Sequence, residues 1–444
     1  MIAVFGVAVF LLCSLGTLHP PITGDVWSAD LGAWRLATTG TPWIDEVSPD
    51  QLPPWPGVDG VESSGLWTAT NPDNGHRVVA RSPGPVLAGV PAYAIAALLS
   101  GDGTGSFSDV PGSLTAALLV AAAATLLLLA TAKLVGHRAA LACTAALAVG
   151  TPLWSIAGND LWPHSVGVLG IAGMAWAASR ERWWLVGVLG GVALVGRLHL
   201  AVAVAAVGVG VALARRRPGI ALRVAGGSLP FLAASSAWGQ WLYGSWSPTT
   251  GYSSSTLGAW PASRSWPERA GDLAGVLVSP GVGILVWTPC LLLLVPFLRG
   301  AWRAAPDWVR ALSAGGIVYL LIQVYLNPFQ GGTGFWGYRL PLETLCACFP
   351  LLALAAARMG RRARTAAAVL VGLQVGLLSI GVLFGAASTD GDGDGSAWRY
   401  SLALDALREN APAFLLILGV GAGAAYLAAR WHRPASTRSS RRAA

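Results

Sequence analysis

The chain has 444 residues, of which 54% are apolar and only 11% are charged, and its formal net charge is +8 at pH 7. This composition excludes an ordinary soluble domain and predicts a multi-pass membrane protein. Continuous apolar runs of about 17–25 residues favour spanning helices over the alternating strands of a membrane barrel. The five cysteines all fall in apolar segments, so we expect them to pack rather than to form disulfides or a zinc site.

The chain begins with a predicted spanning helix over about 2–18, which we interpret as uncleaved because it lacks a basic start and a small-residue cleavage site. A long loop rich in Pro, Gly, Trp and Asp follows, over about 19–83. The next stretch, 84–100, is apolar but contains Pro85 and Pro91. We predict that it lies along the outer interface or re-enters, so that the outer region with its juxtamembrane helices extends over 19–112.

The rest of the chain is predicted to form further spanning helices, for about twelve in an all-α membrane domain over 1–430. These further helices cover about 113–132, 139–156, 165–179, 183–196, 198–214, 219–242, 273–298, 311–326, 341–357, 365–388 and 412–430. Ser-Pro-Gly and Trp-Thr-Pro elements predict a kink within 273–298. An Asp-Gly run at 390–395 is interpreted as a solvated turn, and 431–444 as a basic cytoplasmic tail.

With these helices, the charged residues separate into two sets of loops. One set, with the tail, contains 20 Arg or Lys and only 2 acids, Glu181 and Asp307, whereas the other contains 9 Arg and 19 acids. Cytoplasmic loops are enriched in cations, so the first set is predicted to be cytoplasmic, together with both termini. Most polar residues that could take part in a reaction then lie on the outer face of the plasma membrane, which suggests an enzyme that works there.

Two acids follow the first helix, in the segment Gly24-Asp25-Val26-Trp27-Ser28-Ala29-Asp30. An acid just beyond a membrane helix is placed to act as a general base on an acceptor hydroxyl. Asp25 and Asp30 are therefore the catalytic candidates. The alternative is that one of them only caps the helix that begins nearby.

Two further outer segments carry candidates for binding a donor. Asp160 and His164 share a short loop and could bind a sugar, a phosphate or, together, a metal ion, although a third metal ligand is not evident. Arg197 and His199 lie at a break between two short helices. An arginine within an apolar stretch is costly and usually functional, and its guanidinium suits a lipid phosphate. Snorkelling of Arg197 to the headgroups is the alternative.

The last candidate segment is glycine-rich and covers 331–343. Its glycines allow the backbone to approach a ligand closely, and Trp336 and Tyr338 offer faces for a sugar ring. Arg339 adds an outer cation, with Glu343 one turn further on. An Arg339–Glu343 pair on one helix would be the purely structural interpretation.

These motifs resemble those of the GT-C superfamily of polytopic glycosyltransferases, including the bacterial protein-mannosyltransferase-like members. The spacing of Asp25, Ala33 and Gly40 is similar to the acidic first-loop motif of that superfamily, although Asp25 is followed by Val26 where many members carry a second acid. Other short matches run through most of the chain, namely Arg81-Ser82-Pro83-Gly84-Pro85, Trp162-Pro163-His164, Ser279-Pro280-Gly281-Val282-Gly283 and Gly337-Tyr338-Arg339-Leu340-Pro341. The first of these lacks the aromatic residue of the family element.

The resemblance implies an inverting transfer of a sugar, such as mannose or arabinofuranose, from a polyprenyl-phosphate donor to a cell-envelope glycan, lipid or protein acceptor. It assigns the donor phosphate to a basic residue near Arg197 and leaves the use of a divalent metal open. Nucleic acid is not an expected partner, and the sequence contains no nucleotide-binding signature. Two alternatives remain: a lipid-sugar flippase, which should show related halves with midplane charges, and a non-catalytic assembly subunit.

Overall fold

The structure is a computed structural model that describes residues 1–19, 23–47, 66–100, 107–249, 260–332, 334–385 and 396–431. The Asp-Gly run at 390–395 and the tail beyond 431 lie outside the described residues. Helices dominate the remainder: α1 Ile2–Ser14, α2 Gly24–Thr39, α3 Pro83–Ser100, α4 Val110–Val135, α5 His137–Gly150, α6 Pro163–Ala178, α7 Trp183–Gly196, α8 Ala201–Arg215, α9 Pro218–Tyr243, α10 Trp260–Ser263, α11 Trp266–Val278, α12 Ile284–Trp287, α13 Val295–Ala304, α14 Asp307–Leu326, α15 Leu342–Ala357, α16 Arg361–Phe384, α17 Ser396–Arg399, α18 Leu402–Glu409 and α19 Ala411–Trp431.

Seven of these helices are long and apolar enough to cross a membrane, namely α3, α4, α8 with its preceding turn, α9, α14, α16 and α19. Six of the seven belong to the predicted twelve, and α3 is the stretch that we expected not to span. The other predicted spans correspond to shorter helices, α1, α5, α6, α7 and α15, and to the broken segment that contains α11 to α13. A multi-pass membrane protein is therefore supported, whereas the number twelve stays a prediction.

The described chain departs from the predicted all-α class in its first loop. Strands β1 Thr68–Thr70 and β2 Arg77–Val79 pair antiparallel, with Ala69 opposite Val78. Val78 and Val79 are completely buried, and Val79 packs in the same cluster as Leu31 of α2. Three-residue strands carry too short an alternating pattern to be read from sequence, so this hairpin was missed.

The predicted helix over 273–298 is wrong as a single kinked helix. It is divided into α11, α12, a 3₁₀ turn over Pro289–Leu294, and α13. Between α11 and α12, the Gly281 N–H donates to Ala397 O at 3.0 Å, and its carbonyl accepts from the Trp287 indole at 2.8 Å. Prolines remove donors and clash with the preceding turn, so three of them within this stretch interrupt the helix rather than bend it.

Helix α3 begins and ends beside segments that the charge rule places outside. A Cβ on Gly84, at its start, would lie 2.7 Å from Gly196 N at the end of α7. From the middle of α3, the Tyr93 hydroxyl donates to Ser108 O at 2.8 Å, just before α4 begins. Both contacts are with segments predicted to be outer, but α3 is also long and apolar enough to cross a membrane, so its non-spanning placement stays a prediction.

Loops of the cation-rich set meet at one end of the bundle. Arg215 binds Glu181 at 2.9 Å and Asp307 at 3.3 Å, so it pairs with both acids of that set. Lys133 donates to Ser179 O at 3.1 Å in the same region. Since α6 rises about 1.5 Å per residue from Pro163 to Ala178, this end is separated from the loop at 158–162 by about 23 Å.

Candidate active site

Asp25 lies between two arginines at the start of α2. The Arg81 Nη2 is 2.6 Å from Asp25 Oδ1, and the Arg339 Nη1 donates to Asp25 Oδ2, so each carboxylate oxygen has its own guanidinium. The Asp25 side chain keeps only 18% exposure. Burial raises the pKa of Asp25, but Arg81 and Arg339 lower it by more, and the resulting pKa lies below the usual range of an aspartate.

Arg339 reaches Asp25 from a loop that turns sharply. Gly331, Gly332, Gly334 and Gly337 all have a positive φ, which residues with a side chain rarely adopt. The guanidinium carbon of Arg339 lies 5.1 Å from the ring centroid of Trp162 and 5.5 Å from that of Phe335, close enough for cation–π attraction.

Arg81 is fixed through its backbone by α9. Its N–H donates to the Tyr243 hydroxyl at 3.0 Å, and its carbonyl accepts from the Trp238 indole at 3.2 Å. Its guanidinium carbon lies 4.6 Å from the ring centroid of Trp67. The position of the Arg81 side chain is therefore set by neighbours from the first loop and from α9.

A third arginine, Arg197, occupies the predicted break between α7 and a 3₁₀ turn over Leu198–Leu200. Its backbone is extended, and its side chain donates to His164 Nε2 at 2.8 Å and to Gln323 Oε1 at 2.8 Å. His164 Nδ1 lies 2.8 Å from Oε1 of the fully buried Glu343. Because a guanidinium can only donate, His164 must accept at Nε2 and donate at Nδ1, which makes it a neutral imidazole.

The three guanidiniums and two carboxylates form one charged site. Arg197 is near enough to act electrostatically on Asp25, and its guanidinium lies 3.9 Å from Glu343. With His164 neutral, three positive charges face two negative charges, so one positive charge is left over. A partly desolvated site with this excess favours an anion that can accept from several guanidiniums, such as a phosphate.

Asp30 and Asp160 form a separate pair that is completely buried. Their carboxyl groups lie close enough to each other to interact electrostatically, but in the structure neither Asp30 oxygen nor Asp160 Oδ2 has a hydrogen-bond partner. A Cβ on Gly112 would meet Asp30 Oδ1. Burial and the neighbouring Asp160 raise the pKa of Asp30 well above its usual range, and burial does the same for the pKa of Asp160. Two charged carboxylates this close together in a buried site repel each other, so a protonated carboxyl in the pair is favoured.

Because of the Asp30–Asp160 pair, we expect the protein to lose stability as the pH rises, and we expect Asp160→Asn to reduce that loss. The carboxyl has a higher pKa in the folded state than in the unfolded state. Its contribution to the stability of the fold is therefore fully present below the unfolded-state pKa, near 4, and is lost as the pH rises through the folded-state pKa. The loss is about 1.4 kcal/mol per pH unit in that window. We expect the Tm of purified Asp160→Asn to fall less than wild type between pH 5 and 9. An equal decline in both proteins would contradict a protonated carboxyl in this pair, and Asp45→Asn, which changes an acid of the first loop outside the pair, is the control.

Among the predicted residues, the structure brings Asp25, Arg197, Arg339, His164 and Glu343 together. His199, half-buried in the turn after Arg197, is close enough to interact electrostatically with Arg197 and Glu343. The Asp160–His164 metal pair is not formed, because Asp160 faces Asp30 whereas His164 binds Glu343. In the described ranges, no three His, Cys, Asp or Glu side chains are arranged to hold a metal ion.

The two aromatic candidates of the glycine-rich loop point away from this site. The Trp336 indole donates to Leu377 O at 2.9 Å and packs edge-on against Trp287. The Tyr338 hydroxyl bonds Thr288 Oγ1 at 2.7 Å, and Tyr338 is fully buried. Both contacts are inside the protein, so these two side chains anchor the loop. Sequence reasoning missed Arg81 and Gln323; an arginine just before a proline-rich helix start was the available signal for Arg81.

The fold and this site define a multi-pass membrane protein with an arginine-rich, carboxylate-bearing site at one end of the bundle. No protein-family description matches the chain, and no curated protein matches it. Among solved structures, the crystal structure of ArnT from Cupriavidus metallidurans bound to undecaprenyl phosphate matches with a TM-score of 0.50 and 15% identity, over 96% of this chain and 75% of that one. The apo-state crystal structure of ArnT from the same organism has a TM-score of 0.47, 16% identity and the same coverage. The first of these likenesses gives the chain an ArnT-like fold, in line with the GT-C-like architecture expected from the sequence.

Proposed function

We propose that this chain is a membrane glycosyltransferase that moves a sugar from a polyprenyl-phosphate donor to a hydroxyl acceptor at the outer face. The observation that carries the proposal is the placement of Asp25 between Arg81 and Arg339, with Arg197 beside them. This arrangement joins a carboxylate base to a cationic phosphate site. The ArnT structure of similar fold was solved with undecaprenyl phosphate, which supports a lipid phosphate as the anion.

In the proposed reaction, Asp25 accepts the proton of the acceptor hydroxyl while the hydroxyl oxygen attacks the anomeric carbon. The bond between that carbon and the phosphate oxygen breaks, and its electron pair stays on the phosphate. The lipid phosphate thereby gains a second negative charge, and Arg81, Arg197 and Arg339 stabilise it. Fixed cations aimed at developing charge are usually a large part of a rate enhancement.

Asp25 is assigned as the base in preference to Asp30 because of their surroundings. Asp30 is completely buried against Asp160, whereas Asp25 is partly exposed next to the cationic group. The low pKa of Asp25 arises because its own carboxylate is the anion that Arg81 and Arg339 bind in the structure. A donor phosphate competes for Arg81 and Arg339, which raises the basicity of Asp25 when the donor is in place.

Glu343 and His164 have a positioning role in this proposal. Glu343 fixes the tautomer of His164, and His164 together with Gln323 holds the guanidinium of Arg197 in one orientation. Buried groups that are hydrogen-bonded on both sides keep a ligand-binding side chain in place without rearrangement on binding. Arg197 is thus prepared to meet the phosphate.

The experiment that tests the proposal is a transfer assay with the purified chain, a panel of radiolabelled polyprenyl-phosphate sugars and a membrane glycolipid extract. We expect label to move from one donor into the extract. Transport of the intact donor across proteoliposomes without any transfer would instead support a flippase. Tight donor binding with neither transfer nor transport would support a non-catalytic lipid-sugar-binding subunit.

A further inference from the structure

Helices α16 and α19 cross closely at paired glycines. A Cβ on Gly372 would lie 2.3 Å from the carbonyl oxygen of Gly421, and one on Gly376 would lie 3.0 Å from that of Ile417. Small residues at such positions allow membrane helices to approach backbone to backbone. The two helices therefore have a close backbone contact in their middle.

An open cavity lies between the two helices towards the start of α16. It has a volume of about 500 Å³ and is lined by Arg361, Arg362, Thr365, Ala366, Val369 and Tyr426. Only 6% of the most apolar window of α19 is buried within the protein. The cavity is thus open, and one of its borders is a helix that is exposed over most of its apolar length.

The lining is amphipathic and strongly cationic at one end. Arg361 and Arg362 form the first turn of α16, and that turn contains no acid and no side-chain cap. The positive end of a helix dipole disfavours cations, so two arginines there create a local positive field. Ala366 and Val369 lie one to two turns deeper and give the cavity an apolar wall.

We propose that this cavity binds an anionic phospholipid at the cation-rich end of the bundle. The phosphate would meet Arg361, Arg362 and the Thr365 hydroxyl, and an acyl chain would lie on Ala366, Val369 and Tyr426. Basic pockets between membrane helices on the cytoplasmic side suit such headgroups. A soluble phosphate would bind the arginines but would make no contact with the apolar wall of the cavity.

This site is independent of the proposed glycosyltransferase site. Helix α16 rises about 1.5 Å per residue, so its start at Arg361 lies about 35 Å from its end at Phe384. That end is next to Gly385, whose added Cβ would meet His19 in the first outer loop. The lipid site therefore lies at the opposite end from Asp25.

The test is native mass spectrometry of the full-length protein with phosphatidylglycerol and phosphatidylcholine in competition. We expect wild type to retain phosphatidylglycerol preferentially, and Arg361→Ala/Arg362→Ala to reduce that preference by about fivefold for each arginine removed. Ala366→Trp, which fills the cavity without changing the charge, should reduce it as well. Arg364→Ala removes one positive charge from the same helix but outside the lining, so it should keep the preference instead of losing the fivefold expected for one arginine of the lining.

Three results would overturn the proposal. The first is an unchanged preference in Ala366→Trp or in the double arginine variant. The second is an equal loss in Arg364→Ala, which would show a general charge effect. The third is release of phosphatidylglycerol by millimolar inorganic phosphate, which would assign the site to a free anion. Folding of each variant is checked by its Tm, and the α16–α19 contact at Gly372 is unchanged in all of them.

Discussion

Asp25→Asn is expected to lower the turnover of sugar transfer by about 10²–10⁴-fold, the usual contribution of a general base. The amide is nearly the same size as the carboxylate but cannot accept the acceptor proton. It also removes the anion that pairs with Arg81 and Arg339 in the structure. We therefore expect undecaprenyl phosphate to bind the variant at least as tightly as wild type, so that kcat and donor affinity change in opposite directions.

The measurements are kcat in the transfer assay and the Kd for undecaprenyl phosphate from quenching of tryptophan fluorescence. Asp45→Asn is the matched control, since Asp45 is another first-loop acid and pairs with His76 away from the arginines. Turnover of Asp25→Asn close to wild type would move the base to another group, and Asp30→Asn would be the next variant to assay. Weaker lipid binding in Asp25→Asn would contradict the competition between the carboxylate and the phosphate.

Arg339→Gln is expected to weaken the binding of undecaprenyl phosphate by about 10–150-fold, the range for the loss of a hydrogen bond to a charged group. It should lower kcat as well, because Arg339 also stabilises the charge that develops on the leaving phosphate. Arg339→Lys keeps the charge but loses the planar group that lies over Trp162 and Phe335. We expect it to be intermediate in both measurements.

Arg408→Gln is the control for a general loss of positive charge, since Arg408 is in α18 and its side chain is 77% exposed. It should bind the lipid as wild type does.

The double variant Asp25→Asn/Arg339→Gln tests the link between the two residues. If the carboxylate and the phosphate compete for Arg339, the gain in affinity from Asp25→Asn should shrink when Arg339 is absent. Fully additive effects would show that the two side chains act separately.

Some residues of the site could be predicted from the sequence and others could not. Arg197 was predicted because a charge within an apolar stretch is costly unless it has a role. Asp25 was predicted from its place just beyond a membrane helix and Arg339 from its glycine-rich segment, and the structure brings the three side chains together. Arg81 has the same residue type but lies in a polar loop, where an arginine carries no such penalty. Trp336 and Tyr338 were expected at the site because their rings offer faces for a sugar. A loop has no periodicity that fixes the direction of its side chains, so the sequence could not show that both point elsewhere. Their contacts with Leu377 and Thr288 decide it instead.

The sequence by itself determined most of the long apolar helices and how the charged loops divide into two sets, but not the hairpin or the interruptions within 273–298. The reason is that the bilayer penalises exposed backbone and charge strongly enough to be read residue by residue. Only the tertiary structure decided which charges meet, since Arg339 and Asp25 are 314 residues apart in the chain. No local pattern encodes such a pair. The packing of α2, the hairpin and the glycine-rich loop brings it together, and the same packing separates Asp30 from Asp25 on a single helix.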